Sequence, residues 1–509
     1  MTIAAKNQNA GLSVADYIDL NARRAPDGIF VVDPHTGRKC SFAECKNEAQ
    51  RIASVIREQG VNPGEPVAYA FANSSDAALA ILGLLYGGFL ATAINLVAGE
   101  NNIAYVLEHS GSKLVLADDG GEQLLNPIVA RMPNAPDLIG LSELMQTRPK
   151  NRLANLQFHA DEDGLLMYTS GTTGQPKGVI LTQSNLLAGG TNTMTAHQLS
   201  TSDRGLCVLP LYHINAFCVS LMASLVSGSG LVIPSRFSAS SFWDTIADHE
   251  CSWFSVVPTQ ISYLLHNKNN DASRCKKLRF GRSASAPLSP DMHATFEKRF
   301  DVPIIETMGL TETAAQILAN PLPPGSRKIG SPGTAFGNEV IIADDFQKEV
   351  SAGLEGEILV RGPNVLRCYL RNEKATSDAI TKDGWLRTGD LGRMDEDGYV
   401  FVTGRLKELI IKGGENIAPR EVDEALYSHP DVIEAAAFAV PCENYGQRIE
   451  AGVKLKPGSG TKGDDLVEVC REKIGAFKAP DCIHILPDLP KGPSGKIQRI
   501  KLAKMLAKS

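Results

Sequence analysis

The 509-residue sequence predicts an α/β protein with a large N-terminal domain of stacked βαβ sheets (residues 1–404), which includes a small β-rich, barrel-like subdomain (325–404), and a small α+β C-terminal domain (405–509). Three observations predict it. Apolar runs of strand length alternate with helical patterns from residue 66 to residue 300, the rhythm of βαβ units around parallel sheet. After residue 325 the long helical patterns stop and short strands separated by Gly and Asp turns take over. Past Gly404 helix and strand patterns return within the length of an ordinary domain.

The elements follow in order. "PVAYAFA" (66–72) reads as a buried strand, "SDAALAILGLLYGG" (75–88) as a helix ending in glycines, "ATAINL" (91–96) as the next strand, "NNIAYVLEHSG" (101–111) as a helix and "KLVLAD" (113–118) as a strand. The stretch 77–96 has the apolar length of a membrane span, but Gly83, Gly87 and Gly88 and the β-type end fit a buried helix, tight turn and strand. The rhythm recurs in "RGLCVLPL" (204–211) with a helix after His213, in "SWFSVVPT" (252–259) with "QISYLLHN" (260–267), and in "KLRFGRS" (277–283) with "PDMHATFEKRF" (290–300). "NEVIIADD" (338–345), "GEILVRG" (356–362) and "GYVFVTG" (398–404) are the short strands of the β-rich part. "PREVDEALYSH" (419–429) and "DDLVEVCREKIG" (464–475) are helices flanking strands "IEAAAFAVP" (433–441) and "IEAGVKLKP" (449–457).

Composition narrows the function. A net charge of −6 with 21% charged residues leaves no basic stripe for nucleic acid, so any polyanion is bound locally. The ten cysteines show neither a CxxC pair nor a metal-ligand rhythm and read as reduced core thiols. With no secretion-type start, the expected location is cytoplasmic.

The chemistry concentrates in "YTSGTTGQPKGVIL" (168–181). "LLMYTSG" (165–171) is a buried strand running into a glycine- and hydroxyl-rich loop, and "QSNLLAGGTNTMTA" (183–196) is the helix after it, an order that places backbone amides near a polyphosphate. It is not a Walker A loop: Lys177 is followed by Gly178 rather than Ser or Thr, and Pro176 stands where the second glycine belongs. The loop is therefore expected to grip phosphate through Thr169, Ser170, Thr172, Thr173 and the amides of Gly171 and Gly174, with Lys177 nearby and magnesium held elsewhere.

That stretch resembles the signature of the adenylate-forming superfamily of acyl-CoA synthetases, carrier-protein adenylation domains and luciferases. Further matches run collinearly: "PLYHINAF" (210–217), "SASAPLSP" (283–290), "ETMGLTE" (306–312), "WLRTGD" (385–390), "GRLKELIIKGGENIAPREVDEAL" (404–426) and "PKGPSGKIQR" (490–499). The resemblance implies that a carboxylate attacks the α-phosphate of ATP, so catalysis consists of positioning and charge neutralisation. It places Glu312 on magnesium and Thr311 beside the phosphate. Ser285, Ala286 and Pro287 with Glu306, Thr307 and Met308 become the adenine walls, Met308 replacing the aromatic ring of many relatives. Asp390 and Arg405 hold the ribose, and Lys496 bridges carboxylate and α-phosphate.

One cleft must join acid to AMP and then admit a thiol, so the resemblance also implies that the small lobe moves about a hinge at Lys407. Gly413 and Gly414 would then let a pantetheine arm pass, Asn416 would contact nucleotide, His213 would stand between acyl pocket and thiol tunnel, and Arg236 would meet a phosphate of coenzyme A. The implied substrates are ATP with Mg2+, a small carboxylic acid and CoA, with a carrier-protein phosphopantetheine as the alternative acceptor. A luciferase-like oxygenase shares the same motifs.

"RFSASSFWDTI" (236–246) and "LANPLPPGSRKIGSPG" (318–333) look most like the branch containing oxalate-CoA ligases. Those enzymes carry a histidine where this chain has Ala315, which leaves Gln316 as the nearby polar group and suits a neutral or monocarboxylate acid, short or of medium length.

Overall fold

The structure, a computed structural model, describes residues 11–151, 158–169, 175–267, 269–492 and 497–507. Two large sheets organise the N-terminal domain. The first is seven-stranded, in the order Cys368–Tyr369, Lys177–Thr182, Asp163–Thr169, Leu90–Ala93, Pro66–Ala70, Leu114–Ala117, Asp137–Gly140, parallel except at the two Cys368 and Lys177 strands. The second is nine-stranded; its parallel centre runs Ile304–Leu310, Phe280–Ser283, Trp253–Val256, Arg204–Cys207, Gly230–Val232, Ile29–Val32, with antiparallel strands at both edges.

The largest apolar cluster draws on both sheets and on the helices Ser75–Tyr86 and Gln183–Ala196 and the π-helix Asn215–Met222. Ser75–Tyr86 is buried on all sides except at Asp76, which is why its sequence is apolar without periodicity. It is followed by a turn with Gly88 at φ +69° and then by the strand Leu90–Ala93. No helix among the described residues is long and apolar enough to cross a membrane.

A four-stranded antiparallel sheet (Glu339–Ala343, Glu355–Arg361, Leu386–Met394, Val400–Arg405) forms the β-rich part and packs Val340, Ile342, Ile358, Val360 and Val400 against Ile317 and Leu318. The small C-terminal domain has its own five-stranded sheet and apolar core, with helices Pro419–Tyr427, Gly463–Ile474 and Arg499–Leu506. Tyr263 of the large domain ties the two together: its hydroxyl donates to Glu434 Oε1 (2.9 Å) and accepts from Lys491 Nζ (3.2 Å), while Ser262 Oγ donates to the Ile433 carbonyl (3.1 Å).

Candidate active site

The sequence led to the expectation of strand, loop and helix around the phosphate-binding stretch; the structure has a hairpin. Asp163–Thr169 and Lys177–Thr182 pair antiparallel with Thr169 opposite Lys177, and the helix Gln183–Ala196 begins only afterwards. Its N-terminus is closed by a capping box between Thr182 and Asn185, so its amides are spent locally and not on a phosphate. Ser170, Gly171, Thr172, Thr173 and Gly174 lie outside the described residues, as does Lys496.

The hairpin sets Lys177 against Tyr369, whose strand pairs with Lys177–Thr182; Lys177 Nζ lies 4.8 Å from the Tyr369 ring centroid. The Tyr369 hydroxyl donates to Glu312 Oε1 (2.9 Å), and the Leu366 amide donates to the Glu312 carbonyl (2.7 Å). Burial and the Glu312 charge both push the Tyr369 pKa up, which keeps it a protonated donor. An acidic and a basic side chain, 135 positions apart in sequence, thus meet on one aromatic ring at the loop end of the hairpin.

Among the described residues no group of three or more His, Cys, Asp or Glu is placed to hold a metal ion. Glu312, with one oxygen held by the Tyr369 hydroxyl, would be the carboxylate that magnesium takes, with phosphate oxygens and water completing the shell, as this cation commonly takes one or two carboxylates plus substrate phosphates. The residues present fit that arrangement.

Thr311 and Glu312 sit on a short 3-10 turn (Thr311–Thr313) that ends in two left-handed residues, Ala314 (φ +43°) and Ala315 (φ +78°). The turn sends the chain back antiparallel, with Gln316 opposite Gly309. A Cβ on Gly309 would stand 1.8 Å from the Ala315 carbonyl oxygen, so only glycine permits this close return.

Along Ile304–Leu310, Glu306 is buried, and its Oε1 accepts the Leu288 amide (3.1 Å), bracing the loop that carries Ser285, Ala286 and Pro287. Thr307 Oγ1 donates to the Ser283 carbonyl (3.3 Å), and Met308 packs, half-buried, against the β-rich core. Ser285 is held at φ +71°, while Ala286 and Pro287 line a cleft between the domains with Arg420, Tyr427, Ile497 and Arg499.

Asp390 and Arg405 are cross-strand partners joined by two bonds, Nε to Oδ1 (2.5 Å) and Nη2 to Oδ2 (3.4 Å). The two residues expected on the ribose are bound to each other. Lys407 is exposed in the turn after Arg405, between the two domains' sheets. Gly413 (φ +59°) and Gly414 (φ +86°) form the tight turn of a hairpin whose second strand presents Asn416 to solvent. Arg236 is exposed after the strand Gly230–Val232.

His213 stands half-buried just before the π-helix, its pKa lowered to about 4 by burial, so the imidazole is neutral at pH 7.

Sequence reasoning passed over a polar cluster behind Ser285. Arg282 is fully buried on the strand Phe280–Ser283, donating Nη1 to Asn215 Oδ1 (3.0 Å) and Ser255 Oγ (3.1 Å), and Nη2 to Gln316 Oε1 (3.3 Å). Gln316 Oε1 also lies 3.2 Å from His197 Nε2, and Asn215 Nδ2 donates to Ser285 Oγ (3.2 Å). Burial lowers the Arg282 pKa to about 9, which leaves it a cation at pH 7. The signal was present in "KLRFGRS": an arginine inside a stretch with strand character.

The chain matches the family described as "AMP-binding enzyme" over residues 18–370 and "AMP-binding enzyme C-terminal domain" over residues 421–496. It is 42% identical over 498 residues to the sulfoacetate–CoA ligase of Cupriavidus necator, covering 96% of this chain and 97% of that protein. With the oxalate–CoA ligase of Arabidopsis thaliana it shares 35% identity over 464 residues, 88% of this chain and 90% of the relative. Among solved structures, ATP-bound MatB from Rhodopseudomonas palustris superposes with a TM-score of 0.88 and the apo form of the same protein with 0.77, each at 26% identity over 97% of this chain and 99% of that one.

Proposed function

The chain belongs to the AMP-binding enzyme family and is an AMP-forming acyl-CoA ligase, and from that premise we propose that it activates a small carboxylic acid through the residues gathered around the phosphate hairpin. In the first half-reaction the acid's carboxylate oxygen attacks the α-phosphate of ATP, the bond to the β-phosphate bridging oxygen breaks, and pyrophosphate leaves. In the second the sulfur of CoA attacks the acyl carbonyl, AMP leaves, and the thiol proton passes to solvent.

The observation that carries the reading is the Lys177–Tyr369–Glu312 contact, which sets a cation and a carboxylate at the loop end of the hairpin. Magnesium, when bound with ATP, supplies neutralisation of phosphate charge. Tyr369 fixes the Glu312 carboxylate, and Lys177, held over the ring, faces the phosphates as a point charge. Asp390, once Arg405 shifts aside, offers two oxygens to a ribose diol while the guanidinium keeps its charge in place.

His213, with a pKa of about 4, is too weak a base to take a thiol proton efficiently near pH 7, so its role is to orient and wall off the acyl group.

The arrangement of the two domains supports the adenylating pose, since the likeness to MatB is greater for its ATP-bound form than for its apo form. Ile497, the chain neighbour of Lys496, lines the interdomain cleft with Ala286 and Pro287, which supports Lys496 as the group that joins carboxylate and α-phosphate. Rotation about Lys407 then brings the Gly413–Gly414 turn to the cleft for thiol entry.

Relatives named for sulfoacetate and oxalate support a short acid, and CoA in their names supports CoA over a carrier protein as acceptor. The test is acid-dependent AMP release across a carboxylate library, with CoA or a pantetheinylated carrier as acceptor, and with Lys496→Ala in parallel. The variant is expected to lose acyl-AMP formation while retaining thioester formation from supplied acyl-AMP; equal loss of both halves contradicts the two-pose reading.

A further inference from the structure

Arg282 is a buried cation that has no carboxylate partner among the described residues. Every atom it touches is neutral: Asn215 Oδ1, Ser255 Oγ and Gln316 Oε1. Two donors in the same cluster, Arg282 Nε and Gln316 Nε2, are buried without any acceptor, and His197, which contacts Gln316 Oε1, is neutral. A buried guanidinium is costly unless it is paired, and a cluster with donors to spare and no counter-charge lacks an anion.

The cluster's position says which anion. Asn215 links Arg282 to Ser285 on the loop whose next two residues face the interdomain cleft. Gln316 comes from the strand that returns directly from Thr311 and Glu312, and its cross-strand partner is Gly309, which adds no side chain over it. The cluster therefore lies behind the loop that carries Ser285 and the turn that carries Thr311 and Glu312.

We infer that Arg282, with Asn215 and Gln316, is the specificity determinant for a short carboxylic acid bearing a second anionic group, a carboxylate or a sulfonate, at the end away from the reacting carboxylate. This rests on the acyl-CoA ligase reading above and deepens it, and it replaces the neutral or monocarboxylate acid that Gln316 alone suggests. The second anion accepts from Arg282 Nε and Gln316 Nε2 and gives the guanidinium its missing partner. A neutral tail of the same shape leaves those donors unmet, and this is how a polar site rejects an analogue.

The test uses the full chain with ATP and CoA and matched acids: sulfoacetate against methylsulfonylacetate, and malonate against malonamate. For at least one pair, kcat/KM from AMP release is expected to favour the anionic member by on the order of 10²-fold or more, the scale at which sites built for a polar group discriminate. The better of the two pairs tells sulfonate from carboxylate. Arg282→Gln is expected to remove most of that preference by lowering kcat/KM for the anionic acid while leaving the neutral one within about threefold, and Arg282→Lys to keep part of it. Equal or better use of the neutral members by the unaltered chain overturns the inference, and so does an Arg282→Gln variant that folds and loses both members equally. The comparison on the unaltered chain decides the matter even where Arg282→Gln does not fold, and Gln316→Leu supplies a second variant. AMP release with neutral-tailed acids alone ends the anion subsite but leaves the ligase standing, whereas no AMP release from any acid ends both.

Discussion

Replacing Tyr369 with phenylalanine isolates one bond in the proposed phosphate site. Tyr369 is 8% exposed, its amide donates to Thr376 Oγ1 (3.0 Å), and its backbone pairs with Val179, so the ring of Tyr369→Phe stays in place and Lys177 keeps its aromatic neighbour. What is lost is the hydroxyl 2.9 Å from Glu312 Oε1. A hydrogen bond to a charged group contributes about 1.5–3 kcal/mol, and about 1.4 kcal/mol corresponds to a factor of ten. If the whole of that energy goes to holding the carboxylate where the nucleotide needs it, kcat/KM for ATP falls by about 10- to 100-fold and half-saturation by magnesium rises. Acid-dependent exchange of pyrophosphate into ATP measures this, since it reads the adenylating half alone. Tyr369→Leu is expected to fall a further few-fold, because it also removes a cation–π contact of about 0.5–1 kcal/mol. An exchange rate within twofold of the parent in Tyr369→Phe, with unchanged magnesium dependence, would show that Glu312 needs no such support and would refute the assigned role.

Two further outcomes are expected. His197 is fully buried with its pKa lowered from 6.5 to about 3 by burial, so the unfolded chain takes up the proton first as pH falls; its contribution to stability is complete above pH 6.5 and lost progressively below it, the loss reaching about 3 kcal/mol at pH 4.5. Urea unfolding followed by tryptophan fluorescence at pH 7.5 and 4.5 checks it: His197→Gln should show a smaller difference between the two pH values by about that amount, and an unchanged difference excludes the assignment. Tyr263→Phe removes two of the bonds that hold the domains together, so pyrophosphate exchange should fall about 3- to 30-fold at about 1 kcal/mol per bond, while thioester formation from supplied acyl-AMP is unchanged or faster; equal slowing of both steps excludes the tie.

Much of the scaffold was legible because its local signals are strong. "QSNLLAGGTNTMTA" and "PDMHATFEKRF" form helices over the residues expected, Gln183–Ala196 and Pro290–Phe300, since Thr182 caps the first and Pro290 opens the second. The strand Lys177–Thr182 was passed over because a phosphate loop suggests a helix next, whereas "GVILT" is an apolar run that pairs back on the strand before the loop. Hydrogen-bond period is invisible in sequence, so the helix after His213 gave no sign of being a π-helix. In the candidate site, Asp390 and Arg405, which the structure sets side by side, were singled out because the pattern around them is local. Tyr369 and Arg282 were not, because each acquires its meaning from partners far along the chain: Glu312 and Lys177 for the first, Asn215 and Gln316 for the second.

The turn at Thr311–Thr313 is where the two halves of the proposed chemistry are joined. Left-handed backbone at non-glycine residues costs on the order of 1–3 kcal/mol each and persists where the surroundings enforce it. Here two such residues, Ala314 and Ala315, follow one another, fixed by Thr313 Oγ1, which donates to the Ala315 carbonyl (2.8 Å), and by the close passage of Gly309. The result is that Glu312 and Gln316, four positions apart, face different partners, which the proposed reading assigns to opposite ends of the reactants: Glu312 meets Tyr369, and Gln316 meets Arg282 and His197. Because the turn is rigid and short, an acid that engages Gln316 and Arg282 is registered against the carboxylate and hydroxyl that receive the phosphates, without a long lever between them. Selectivity for the acid's far end and alignment of its near end then follow from one strained reversal of the chain.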